Sequence, residues 1–135
     1  MRRITSVAVP FAALVVAMTA CQPTPAVSVT PSTNLVDGQT VTVTGSGYSA
    51  NATVGVVECP TGAYSLDDCD SETAHTLSTD DRGRFSTTVV VKSTINDGHD
   101  VGIDCTVRRS CVIASVYVHG FQGLATAPLE FKGHS

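Results

Sequence analysis

Apolar and polar residues alternate along several short stretches of this chain. Between residues 39 and 44 two valines alternate with threonines, and between residues 85 and 91 every second position is Phe, Thr or Val. An alternation with a period of two predicts a strand that buries one face. Turn-forming sequences, such as those at 37–38 and 80–83, separate the alternating stretches.

Read in this way, the chain is predicted to be all-β, with no amphipathic helix. Residues 94–100 are interpreted as a polar loop. Short strands at regular spacing with glycine-containing turns between them are typical of a seven-stranded antiparallel β-sandwich of the immunoglobulin-like type. The seven predicted strands are 27–30, 39–44, 52–59, 74–79, 85–91, 111–119 and 124–131.

Composition and charge narrow the range of functions. Charged residues make up 15% of the chain, against about 25% in an average soluble domain. The net charge is −4, and the sequence contains no basic run. Direct binding to nucleic acid requires a positively charged surface, so we expect none here. The length of 135 residues allows one domain, which we expect to be a monomer.

The first twenty residues predict a secretory signal peptide. Arg2 and Arg3 precede an apolar stretch, and small residues lead to Cys21. This pattern resembles the lipobox of bacterial lipoproteins, in which the cysteine is lipidated, so contact with a membrane is expected only through Cys21. An ordinary signal cleaved near Ala20 or Ala26 is the alternative. We assign 21–26 to a tether, 27–132 to the sandwich and 133–135 to a tail, and expect an exported protein.

Four further cysteines can pair in three ways. The local pairing, Cys59 with Cys69 and Cys105 with Cys111, is favoured because the partners are close in sequence, with turn-forming residues between them. An exported protein meets oxidising conditions in which disulfides persist. A zinc site made of the four thiolates and an immunoglobulin-type bridge between the sheets are less favoured alternatives.

Several motifs together carry a resemblance to a known family. They are the stretch 31–48, the Val-Glu-Cys ending at Cys59 with its nine-residue loop to Cys69, the turn 79–83, and Gly-Ile-Asp-Cys105 followed by Cys111. The chain resembles the neocarzinostatin family of enediyne apo-chromoproteins over about residues 27–131. The resemblance implies a cleft that sequesters an apolar chromophore. It also implies a carrier without catalytic activity, whose antimicrobial and DNA-damaging effects belong to the cargo.

The resemblance also implies which residues meet the ligand. They lie on the loop after Cys59 and on the strand after Cys111: Thr61, Tyr64, Leu66, Val112, Ala114 and Val116. Hydrophobicity alone would instead bury Val112, Ala114 and Val116 in the core. The bulky apolar residues of other members fall at Pro60, Thr61 and Ala74 here, so an enediyne-like chromophore loses stacking partners.

Titratable residues form no convincing catalytic group. Asp97, His99, Asp100 and Asp104 are interpreted as a polar turn rather than a metal or acid–base site. The acidic residues that flank Cys69 are interpreted as a solvated rim. We therefore predict that the protein is no enzyme and has no catalytic, metal or resident cofactor site. The competing hypothesis to a carrier is a structural or interaction domain whose cleft is filled by Tyr64 and Leu66.

Overall fold

The computed structural model describes residues 23–119 and 122–133. Within these ranges the chain forms nine strands, and two short 3-10 turns, Leu66–Asp68 and Ser71–Thr73, lie between the third and fourth. The expected signal peptide and Cys21 lie outside the described residues. No helix in the described part is long and apolar enough to cross a membrane. The strands are β1 (Ala26–Thr30), β2 (Thr40–Ser46), β3 (Thr53–Pro60), β4 (His75–Ser78), β5 (Phe85–Val90), β6 (Thr94–Asn96), β7 (Gly102–Asp104), β8 (Cys111–Tyr117) and β9 (Ala125–Leu129).

Seven of these strands form the predicted antiparallel sandwich. One sheet has the order β1-β2-β5 and the other the order β4-β3-β8-β9. The two local disulfides, Cys59–Cys69 and Cys105–Cys111, are both present. The all-β class and the favoured pairing are therefore confirmed. Because all four thiols are oxidised, the zinc alternative is wrong, and so is a bridge between the sheets.

The prediction that residues 94–100 form a loop is wrong for 94–96 and correct for the turn at 97–100. Thr94–Asn96 is strand β6, and it pairs with Gly102–Asp104, strand β7, in a third small sheet. Ile95 of β6 is completely buried and joins the main core. Three residues are too few to produce a visible alternation, so this hairpin could not be predicted from the hydrophobic pattern.

The main core lies between the two large sheets. The alternating valines of β2, Val41 and Val43, pack with Val54 and Val56 of β3 and with Ile113 of β8. Complete burial of a side chain of this size contributes about 1.5–3 kcal/mol. The polar threonines of β2 face solvent, as the period of two predicts.

Both faces of strand β8 are buried. Cys111 and Ile113 belong to the main core, whereas Val112 and Ala114 belong to a second apolar cluster with Val57 of β3. The family resemblance implied this register, and the hydrophobicity argument, which would have turned Val112 inward, fails. A strand covered on both faces shows no alternation, so periodicity alone could not choose between its faces.

A buried hydrogen bond fixes β8 in this register. The Tyr48 hydroxyl pairs with that of Ser115, which is completely buried on the core face of β8. We expect Tyr48→Phe to lower the free energy of unfolding by about 1–3 kcal/mol, because Ser115 loses its buried partner. Urea unfolding would measure this.

Ser115→Ala, made alone and in combination with Tyr48→Phe, completes a double-mutant cycle for this hydrogen bond. The two substitutions are expected to be non-additive by roughly 1 kcal/mol. Strict additivity would contradict a direct bond between the two hydroxyls.

Candidate ligand-binding cleft

An apolar floor lies on the outer face of the four-stranded sheet. Val57 and Cys59 of β3 point away from the main core, beside Val112 and Ala114 of β8. Each of these side chains is at most 8% exposed. The floor follows from the two-residue period of β3, whose other face carries Val54 and Val56 into the core.

A loop closed by a disulfide forms the wall above this floor. Cys59 and Cys69 are joined with their Cα atoms 4.3 Å apart, so the cleft loop (residues 60–68) leaves the sheet and returns to the same point. A cavity of about 240 Å³ lies between this loop and the floor. The loop contributes Pro60, Gly62, Ala63 and Leu66, and β9 with the residue before it contributes Thr126 and Leu124.

The cavity is apolar and uncharged. Among the described residues that line it, none carries a charged side chain and none is aromatic. The acidic residues Asp67 and Asp68 lie on the loop but outside the lining. Desolvating a charged ligand in such a cavity would have no compensating partner. The geometry therefore suits a neutral apolar molecule.

The predicted ligand-binding residues divide into two groups. Leu66, Val112 and Ala114 line the cavity. Tyr64 is 91% exposed at the loop tip, and Val116 is completely buried outside the lining. The Thr61 hydroxyl donates a hydrogen bond to the carbonyl oxygen of Arg109 at 2.7 Å, which ties the cleft loop to the Cys105–Cys111 loop.

Five lining residues were not among the predicted site residues: Pro60, Gly62 and Ala63 on the cleft loop, and Leu124 and Thr126 at β9. Thr126 pairs with Ala114 across β8 and β9, so it shares the face of Ala114, and Leu124 is two residues before it. The alternation of β9, with Ala125, Ala127 and Leu129 buried, was a signal for its faces. What the sequence could not give was the pairing of β9 with β8.

The small β6–β7 hairpin supports the cleft loop from outside. The amide of Gly98 donates to the carbonyl oxygen of Asp67 at 2.7 Å. Asp97 is a turn residue: its carboxylate accepts from the amides of His99 and Val101. Asp97 and His99 therefore form part of the polar turn that we predicted. The imidazole of His99 points to the cleft loop, where its Nε2 lies 3.7 Å from a carboxylate oxygen of Asp68.

The segment that follows Cys69 is fastened to β3. We call residues 70–73 the return arm. The amide of Asp70 donates to the carbonyl oxygen of Glu58 at 3.0 Å, and the amide of Glu58 donates to the Thr73 hydroxyl at 3.0 Å. Lys92 lies 3.6 Å from the buried carboxylate of Asp70 and also pairs with Glu72. Hydrogen bonding to Lys92 lowers the pKa of Glu72.

The side chain of Glu58 is buried on the core face of β3. It is 0% exposed. One carboxyl oxygen accepts the amide of Lys92 at 2.8 Å, and the other lies 3.3 Å from the sulfur of Cys105. Because that sulfur is part of a disulfide, it carries no proton, so a hydrogen between the two atoms must belong to the carboxyl group.

Burial raises the pKa of Glu58 to about 7. The negative charges of Asp70 and Asp37 raise it further, whereas the amide of Lys92 and its ammonium group act in the opposite direction. An ionised carboxylate at this position would have a single described amide donor. The protonated form is therefore the one that the site accommodates in weakly acidic solution.

Comparisons with known proteins agree with this architecture. A model of the neocarzinostatin family matches residues 27–131. Apokedarcidin from Actinomycete sp. (strain L585-6 / ATCC 53650) is 36% identical over 95 residues, which are 65% of this chain and 82% of that protein. The antitumor antibiotic C-1027 apoprotein of Streptomyces globisporus is 38% identical over 87 residues, which are 60% of this chain and 59% of that protein.

Solved structures give the same result. Macromomycin superimposes with a TM-score of 0.68 at 26% identity, covering 79% of this chain and 98% of macromomycin. The solution conformation of apokedarcidin gives a TM-score of 0.57 at 29% identity, covering 80% of this chain and 98% of that one.

The buried Glu58 predicts an unusual dependence of stability on pH. Its pKa is about 7 in the folded protein and near its usual 4.5 when unfolded. The folded state therefore binds the proton more tightly, so stability is greatest below pH 4.5 for this group and falls as the pH rises to 7. The shift corresponds to about 3 kcal/mol.

Urea unfolding at pH 5.0, 6.0 and 7.5 would measure this fall. Glu58→Gln keeps an acceptor for the Lys92 amide and has no proton to lose, so its stability should be nearly constant over the same range. Equal pH dependence in both proteins would show that Glu58 is not the titrating group.

The contact of Gly98 with the cleft loop gives a second prediction. A Cβ atom at this position would lie 2.2 Å from the carbonyl oxygen of Asp67, and backbone cannot move aside cheaply. We expect Gly98→Ala to separate the β6–β7 hairpin from the cleft loop and to speed proteolysis between Cys59 and Cys69. Gly102→Ala, whose Cβ meets only a side-chain atom at 3.9 Å, is the matched control. Identical digestion of the two variants would rule out this support.

Proposed function

Because the chain belongs to the neocarzinostatin family, we propose that it is an exported carrier that holds a small apolar molecule in the cleft beside the Cys59–Cys69 loop. A protein that carries a small apolar molecule needs a cavity, a wall of fixed shape and a means of excluding water. The single observation that supports the proposal most directly is the apolar cavity between the cleft loop and β8. A relative described as an antitumor antibiotic apoprotein supports the same type of function, since an apoprotein is named for a missing non-protein component.

The size and lining of the cavity indicate the kind of ligand. Its volume of about 240 Å³ is just below the roughly 300–1,000 Å³ typical of sites for drug-sized molecules. The described lining is largely aliphatic, with Val112 and Ala114 in the floor and Leu66 on the cleft loop. We therefore propose a compact neutral ligand, or one compact part of a larger ligand whose remainder lies over the exposed rim.

The rim residues have supporting roles in this proposal. Tyr64 is the aromatic residue of the cleft loop, and its exposed ring is free to fold over a bound molecule. Thr61 holds the base of the loop through its bond to Arg109. Val116 continues the face of Val112 and Ala114 along β8, but it is completely buried outside the lining, so this proposal gives it no contact with the ligand.

Export and the absence of catalysis are part of the same proposal. Two disulfides in a small domain are typical of an oxidising compartment. A lipidated Cys21 would place the protein at the cell envelope, and a cleaved signal would release it. The net charge of −4 argues against direct contact with DNA phosphates. Any action on DNA or on other organisms would belong to the cargo.

The competing function is a structural or interaction domain with a closed cleft. It expects Tyr64 and Leu66 to fill the space. Tyr64 is 91% exposed and Leu66 is 41% exposed, so the side chains proposed to fill the cleft leave it open. This observation favours the carrier.

Binding of N-phenyl-1-naphthylamine tests the proposal. This neutral apolar dye becomes fluorescent when it moves from water into an apolar environment. We expect saturable binding at a single site. Thr126→Phe fills the cavity from the exposed strand β9 and should weaken binding at least about tenfold, a loss of roughly 1.4 kcal/mol.

Thr88→Phe is the matched control, because Thr88 is an exposed threonine on the opposite sheet. It should bind the dye as the unmodified protein does. Equal weakening in both variants, or no saturable binding to the unmodified protein, would overturn the carrier.

A further inference from the structure

Glu58 joins the wall of the cleft to the interior of the sandwich. Its backbone holds both ends of the return arm, through Asp70 and Thr73. Its neighbours on either side in β3, Val57 and Cys59, belong to the floor cluster of the cleft. A change in the position of Glu58 therefore reaches the floor and the wall together.

The carboxyl group is held where a negative charge is poorly accommodated. It has one amide donor, that of Lys92, and its other oxygen faces an oxidised sulfur of Cys105 that cannot donate a proton. The neighbouring acids are Asp70 on the return arm and Asp37 before β2, and both repel a charge on Glu58. The one cation among these neighbours, Lys92, is engaged by Asp70 and Glu72.

Ionisation of Glu58 would create competition for Lys92. The ammonium group already attracts a charge on Glu58 from its place beside Asp70 and Glu72. To form a direct ion pair with Glu58 it must leave those two residues, and that releases the return arm from the segment after β5. If Lys92 stays in place, the unpaired carboxylate must move toward water, and β3 must open beside it. Both routes loosen the same contacts, those between the return arm and β3.

We propose that ionisation of the Glu58 carboxyl loosens the return arm from β3, so that the cleft retains its ligand more tightly in weakly acidic than in weakly alkaline solution. Release by rising pH needs no further group in this arrangement, since Glu58, Asp70, Glu72, Asp37 and Lys92 are the charged residues that face one another here. The inference rests on the proposed carrier function, because it describes the regulation of the same cleft.

Binding of N-phenyl-1-naphthylamine at pH 6.0 and pH 8.5 tests the proposal, since this dye does not titrate in that range. We expect its Kd to rise on the order of tenfold from pH 6.0 to pH 8.5 for the unmodified protein. If the form with the return arm held against β3 binds both the proton and the dye more tightly, each must strengthen the binding of the other. Glu58→Gln should bind equally at both values. Glu130→Gln, an exposed glutamate outside this network, is the control and should keep the full dependence.

A second measurement needs no ligand. Hydrogen exchange at the Asp70 amide, which donates to Glu58, reports opening of the return arm once the intrinsic rate at each pH is taken into account. Protection should fall about tenfold between pH 6.0 and 8.5 in the unmodified protein and stay constant in Glu58→Gln.

The outcomes separate the two proposals. Unchanged protection of Asp70, or dye binding that is independent of pH in the unmodified protein, overturns the role of Glu58 and leaves the carrier intact. If no dye binds at either pH but the protection of the Asp70 amide still falls, the carrier is overturned and the effect of Glu58 on the return arm is retained.

Discussion

The disulfide between Cys59 and Cys69 is the constraint on which the cleft depends. The loop between these residues has no buried residue, so packing alone would not select one shape for it. Closing a loop of about ten residues in this way removes roughly 3 kcal/mol of chain entropy from the unfolded state. The bond also fixes both ends of the loop above Val112 and Ala114, and so a space remains where a free loop could collapse.

Strand β3 connects that loop to the rest of the molecule. One face carries Val54, Val56 and Glu58 into the sandwich, and the other presents Val57 and Cys59 to the cleft. Neighbouring side chains of a strand share one backbone, so a displacement of that backbone moves the residues on both faces. The buried acid among the valines is therefore more than a cost to stability: it places a titratable group directly behind the binding surface.

The neocarzinostatin-like architecture is kept here with a lining that is aliphatic and a rim that is acidic. The outer face of β3 and β8 can carry different side chains while the inner face keeps the same core, because alternate side chains point to opposite sides of a sheet. Fold alone therefore does not specify the cargo. In the proposed carrier, the composition of the lining, from Leu66 to Thr126, determines which ligand the cleft accepts.

Much of the fold could be predicted because its signals are local. The alternation in β2 and β5, the turns between the strands and the close spacing within each cysteine pair depend on neighbours in the chain, and they gave the class, the seven large strands and the disulfides. Three of the ten lining residues, Leu66, Val112 and Ala114, were reached through the family resemblance. Thr126 and the β6–β7 hairpin were missed because one depends on strand pairing and the other is too short to show a period.

The sequence by itself determined that this chain forms strands, where most of them lie and which thiols are close enough to pair, because these properties are set within a few residues. Only the tertiary structure decided which face of β8 meets the cleft, and that Glu58 lies against a disulfide beneath the return arm. Those properties depend on the register between strands distant in the chain, and a shift of one residue would reverse every face.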